Sequence, residues 1–202
     1  MEPSSATVGS PSRWLRARSK VKLGLTAIDG WTGKTLAEER QIKQYNEDLK
    51  SRDVDLRLKA ATQLGTFAAG DRLAEAVAED LKQLLECLNP RESQSVRLAV
   101  LGTLRGLAEK KQAFRVSMHT YAVVPLLTDE DPAIQRKAAS LFRVLAEEGA
   151  ASTVARFVPS IMSGFEASQR NGNPLLAPLD ALTAIAEAGE AAASAELIER
   201  LV

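Results

Sequence analysis

One cysteine and one histidine in 202 residues leave little reactive chemistry to place. A disulfide framework needs paired cysteines, and a zinc site needs three or four Cys and His ligands, so Cys87 and His119 supply neither. Aromatic residues make up only 4% of the chain. No apolar run reaches the roughly 18 residues of a membrane span. The N-terminus lacks the apolar stretch and small-residue cleavage site of a secretory signal. Neither charge sign is in excess, with 26 Lys and Arg against 26 Asp and Glu. A reducing intracellular compartment follows, the cytoplasm first among them. What is abundant is Ala (32) and Leu (27), a helix-forming composition.

The apolar residues recur with a long period. Four stretches align: Leu56-Arg57-x-x-Ala60-Ala61-x-x-Leu64-Gly65-x-x-Ala68, Val96-Arg97-x-x-Val100-Leu101-x-x-Leu104-Arg105-x-x-Ala108, Ile134-Gln135-x-x-Ala138-Ala139-x-x-Phe142-Arg143-x-x-Ala146, and Pro174-Leu175-x-x-Pro178-Leu179-x-x-Leu182-Thr183-x-x-Ala186. Their starts lie 40, 38 and 40 residues apart. Within each, the spacing marks one face of a helix. A second series falls between them: Leu84-Leu85-x-x-Leu88, Val123-Val124-x-x-Leu127, Ile161-Met162-x-x-Phe165 and Leu197-Ile198-x-x-Leu201. Two interleaved series of nearly equal period predict four helical hairpins, over about 53–88, 92–128, 131–167 and 173–202.

The joints carry matching signals. Asn89-Pro90, Asp131-Pro132 and Asn173-Pro174 precede the second, third and fourth first-helices, and Asp53 caps the earliest one. Gly70, Gly149 and Gly189 fall where those helices end, as expected of left-handed caps. Thr35-x-x-Glu38 reads as a capping box opening a leading helix over 36–50. Pro125 and Pro159 lie inside second helices and predict a kink or restart in each.

A period near 40, two helices per unit and a first helix opening Asp-x-x-x-Arg resemble HEAT/armadillo-type repeats. Asp53 with Arg57 carries the full pattern, Arg97 keeps the Arg and Asp131 keeps the Asp. The fourth unit has neither in register. Residues 53–69, 81–88 and 129–146 are similar to maestro-type HEAT proteins, and residues 157–188 look like importin-β-type repeats. The resemblance implies an all-α fold, a right-handed α-solenoid of about four HEAT-like hairpins over 36–202. It also implies a ladder of Asp53, Arg57, Arg97 and Asp131 between neighbouring units, and partners bound on the face lined by second helices.

Residues 1–35 stand apart as a Ser- and Pro-rich, basic head. Arg13, Arg16, Arg18, Lys20 and Lys22 lie within ten positions beside Trp14. Residues 1–28 carry five basic residues against one acidic, so the body beyond is acidic by the same margin. The head reads as an arm that docks a protein partner, as an organellar transit peptide, or as a weak nucleic-acid arm.

Catalytic patterns are scarce in the chain. Gly33-Lys34-Thr35 ends like a phosphate-binding loop, but Ile28 stands where its first glycine is required. Cys87 and His119 fall on different helices, and by register Cys87 takes a partly buried core slot. Neighbouring carboxylates sit at helix ends without metal-site companions. No catalytic residue, cofactor, metal or small-molecule substrate is expected. The candidate contacts are the off-stripe residues of second helices: Lys82, Glu86, Arg115, His119, Tyr121 and Arg156. The expected function is a non-enzymatic scaffold or adaptor in a larger protein complex. The alternative is a nucleic-acid-binding protein that uses the basic head with Arg115 and Arg156. At the far end, Leu197, Ile198 and Leu201 are expected to be covered by a further unit or a partner, or else to belong to a closing helix whose other face (Glu196, Glu199, Arg200) is polar.

Overall fold

The computed structural model describes residues 36–170 and 176–189. Among them there is helix and turn but no strand, so the chain is all-α. It divides into two units, Met1–Gln41 and Ile42–Val202. Of the first, only residues 36–41 are described. The expectations for the basic head (Arg13 to Lys22), Gly33-Lys34-Thr35, Asn173-Pro174 and the closing Leu197, Ile198 and Leu201 lie outside the described residues.

In chain order the helices are α1 (36–48), α2 (Val54–Ala68), α3 (Ala74–Ala78), α4 (Lys82–Glu86), α5 (Gln94–Leu107), α6 (Ala113–Ser117), α7 (Pro132–Leu145), α8 (Ala151–Ala155), α9 (Val158–Arg170) and α10 (Leu176–Glu187). Two tight 3₁₀ turns, Thr120–Ala122 and Val124–Thr128, separate α6 from α7. The three longer starts are capped by side chains. Asp53 accepts from the N–H of Asp55, Ser93 from Val96 and Asp131 from Ala133. Each satisfies a backbone donor that the first turn leaves open. Pro132 occupies the first position of α7, where its missing N–H costs nothing. Asn89-Pro90 does not start α5. Asn89 accepts from Arg91 N–H in a separate turn, and the helix waits for Ser93.

Burial follows the first apolar series. Ala60, Ala61, Leu64 and Ala68 of α2, then Val100, Leu101, Leu104 and Ala108 in the next unit, are all buried. So are Ile134, Ala138, Ala139, Phe142 and Ala146 in the third. In α10, Pro178 and Leu182 are buried while Leu179 stays exposed. These stripes place α2 on α5, α5 on α7 and α7 on α10. At the α2–α5 contact, Thr103 Oγ1 donates to Ala61 O at 3.0 Å. A Cβ on Gly65 would meet that oxygen at 3.0 Å, so glycine permits the approach.

The helix ends follow a rule that glycine positions alone did not give. Three residues beyond Ala108, Ala146 and Ala186 the backbone turns left-handed, at Lys111 (φ 64°), Gly149 (φ 84°) and Gly189 (φ 93°). Gly70 does not have a positive φ, so the first unit turns by a different route. In the second unit a lysine takes the conformation that glycine adopts without steric cost.

The second helices are not continuous. The three described ones break near the same register, between α3 and α4, after α6, and between α8 and α9. Pro125 falls in the first turn of Val124–Thr128. Pro159 is the second residue of α9, so the chain restarts around both prolines instead of losing interior hydrogen bonds.

Candidate functional site

Two ion pairs tie successive units. Arg57 on α2 clasps Glu92 with Nε to Oε2 at 2.7 Å and Nη2 to Oε1 at 2.8 Å, and its Nη1 donates to Ser51 O at 2.6 Å. Both side chains are largely buried, with 15% and 11% exposed. The hydrogen bonds that Arg57 donates to the Glu92 carboxylate hold it firmly cationic. Burial pushes the Glu92 carboxyl up, but hydrogen bonds from Arg57 and from the N–H of Ser93 outweigh it and leave the pKa lowered. Arg97 on α5 pairs through Nη1 alone with Asp129, ahead of α7. Its Nε is buried without a partner, so this tie is less complete than the first. Gln135, at the Arg register of α7, donates to Asp129 O at 2.6 Å.

The arginines of the expected ladder therefore face Glu92 and Asp129, while Asp53 and Asp131 spend an oxygen capping their own helices. Glu92 and Asp129 were missed because the family pattern draws attention to the cap position itself. The acid one position (Glu92) or two positions (Asp129) before the cap is the residue that reaches back 32 to 35 positions.

A cleft within Ile42–Val202 runs along the second elements of the stretches 53–88 and 92–128. One end is a cavity of about 580 Å³ lined by Asp80, Leu81, Lys82, Glu86, His119 and Tyr121. A cavity of about 500 Å³ adjoins it through Leu85, Glu86 and Ala122. A third, of about 640 Å³, follows through Pro90 and Pro125 and ends at Arg97, Asp129 and Asp131. The breaks in the second helices open this end: His119 sits at the break after α6, and its ring meets Tyr121 edge-on at 6.2 Å.

Four candidate residues, Lys82, Glu86, His119 and Tyr121, thus come together. Lys82 Nζ lies 3.9 Å from Glu86 Oε1 along one turn of α4. Tyr121 is 61% exposed. Arg115 is not among the residues lining the cleft; its Nη2 stands 3.5 Å from Glu75 Oε1. Arg156, exposed at the end of α8, does not line it either. The apolar spacing did not single out Phe114 on α6 and Met118 just past its end, yet they are 66% and 50% exposed. Their signal was a large apolar residue off the buried stripe.

Reactive chemistry is sparse here. Among the described residues no group of three His, Cys, Asp or Glu side chains is placed to hold a metal. Cys87 is buried and its Sγ lies 3.9 Å from Leu49 O. Burial pushes the thiol up to about 11, away from thiolate reactivity. Among the described residues no helix is long and apolar enough to cross a membrane. No family model, curated protein or solved structure matches the chain.

Proposed function

We propose that the chain is a non-enzymatic scaffold or adaptor, a HEAT-like α-solenoid of four hairpins that binds protein partners as a subunit of a larger intracellular complex. The observation that carries this reading is the exposure of Phe114, Met118 and Tyr121 close together in the chain, with Tyr121 lining an open cleft. Large aromatic and apolar side chains left exposed side by side mark interaction surfaces. The first-helix series, the recurrent left-handed turn and the Arg57–Glu92 and Arg97–Asp129 ties support the repeat reading. Repeat stacking presents an extended surface and performs no chemistry.

Nucleic-acid binding has less support at the described surface. Arg115 faces Glu75, and the cleft is rimmed with carboxylates that repel phosphate.

The test is affinity purification of the full chain with mass spectrometry, washed at low and high salt with nuclease present. A triple variant, Phe114→Ser, Met118→Ser and Tyr121→Ser, runs in parallel, with its fold checked by circular dichroism. A fixed protein set that survives salt and nuclease, and is lost with the triple variant, is the expected outcome. Recovery of nucleic acid alone, released by salt, overturns the scaffold reading, because phosphate contacts weaken steeply with salt.

A further inference from the structure

The cleft along the second elements has a charge pattern as well as a shape. Glu79, Asp80 and Glu86 line one end, and Asp129, Glu130 and Asp131 line the other. Lys82 and Arg97 are the only Lys or Arg among the lining residues, and Arg97 is already paired with Asp129. Glu79, Asp80 and Glu130 are exposed and make no direct side-chain ion pair among the described residues, although the Lys50 ammonium, itself paired with Glu47, lies near enough to act on Asp80 and Glu86. Between the two acidic ends the walls are Leu85, Leu88, Ala122 and Pro125. A cavity of about 300–1,000 Å³ suits a small ligand. Three adjoining cavities of about 580, 500 and 640 Å³ make an elongated track instead.

We propose that this cleft binds an extended peptide segment of a partner protein, apolar at its centre and carrying Lys or Arg at both ends. The apolar centre lies along Leu85, Ala122 and Pro125, and the cations face the unpaired Glu79 and Asp80 at one end and Glu130 at the other. Complementary charge sets the register of such a segment and rejects acidic competitors, because like charges placed together are costly. Tyr121 and His119 flank the entrance and add aromatic contact to the first cation. The proposal deepens the scaffold reading and rests on it.

The probe is a random peptide library of about twelve residues displayed on phage and panned against the immobilised full chain at low salt. The most enriched peptide is then synthesised with a fluorescein label and titrated by anisotropy. Titrations use the wild-type chain, the variant Glu79→Lys, Asp80→Lys, Glu130→Lys, and the cleft-filling variant Ala122→Trp. The three charge reversals lie at exposed positions, so the fold survives them. Enriched peptides should carry basic ends around an apolar centre, and affinity should fall about tenfold or more in the charge-reversed chain. Enrichment without cations, affinity indifferent to both variants, or no enrichment at all overturns the proposal. If panning fails while the salt-resistant protein set is still lost with the Phe114, Met118 and Tyr121 triple variant, only the cleft assignment falls. If both fail, the scaffold reading falls with it.

Discussion

Lys111 occupies a conformation that an L-residue adopts at a cost of about 1–2 kcal/mol, whereas glycine stands at the same register in the next unit. Its side chain is exposed, so little is lost by removing it. Lys111→Gly should therefore stabilise the chain, by roughly 0.5–1 kcal/mol once the extra freedom of glycine in the unfolded state is subtracted. Gly149→Ala should destabilise by about 1 kcal/mol, since nothing crowds the Cβ and only the positive φ opposes it. Urea denaturation of the two variants reads both signs. Cys87 provides a second check at this scale. It is 5% exposed and its thiol is raised to about 11. A thiol reagent at pH 8 should label it only as fast as the local structure opens, and labelling at the rate of a free thiol would show the packing around Leu49 O to be wrong.

At the scale of elements, close approach and charge act at the same joint. Glycine in a helix is about 1 kcal/mol worse than alanine, yet Gly65 faces Thr103 Oγ1, which is held by Ala61 O. Gly65→Ala should destabilise wild type by pushing that hydroxyl off its acceptor, and should become neutral or stabilising on a Thr103→Ala background. A double-mutant cycle by urea denaturation measures the reversal. Glu92→Gln should cost about 1–3 kcal/mol at neutral pH, because Arg57 remains largely buried with its counter-charge gone. The pH dependence has a definite sign. The carboxyl of Glu92 is lowered in the folded state, so its contribution is present above the ordinary carboxylate range and is lost as pH falls through the lowered value. Acid titration of stability should be shallower in E92Q than in wild type. The sequence carried much of this joint. The buried stripes were legible from spacing, which encodes which face of a helix meets a neighbour; the caps at Asp53 and Asp131 were legible from residue type at the joints, and a tying role for the arginines came only from the resemblance to HEAT repeats. Glu92 and Asp129 were not, because an ion pair across more than 30 residues leaves no local period. The cleft was half legible: Lys82, Glu86, His119 and Tyr121 were off the apolar stripe, but the helix breaks that open the space beside them depend on tertiary packing.

For the molecule as a whole, the decisive feature of unit Ile42–Val202 is that packing between its longer first helices runs in sequence, α2 to α5, α5 to α7 and α7 to α10. Each first helix is buried against its neighbours in the row. A chain built in this way distributes a local loss of packing unequally. Leu64 on α2 is fully buried, and Leu64→Ala should cost about 2–5 kcal/mol through lost contacts and the cavity left behind. In an array of stacked units that cost falls first on α2, α3 and α4. Amide exchange there should accelerate by orders of magnitude while α7 and α10 keep most of their protection, since nothing in their own interface has changed. A single cooperative core responds differently: every slow amide accelerates together by the full global loss. Hydrogen exchange followed by mass spectrometry on wild type and L64A separates the two. A graded response, steep at α2 and shallow at α10, is what the repeat reading requires, and a uniform response would remove its physical basis whatever the periodicity of the sequence.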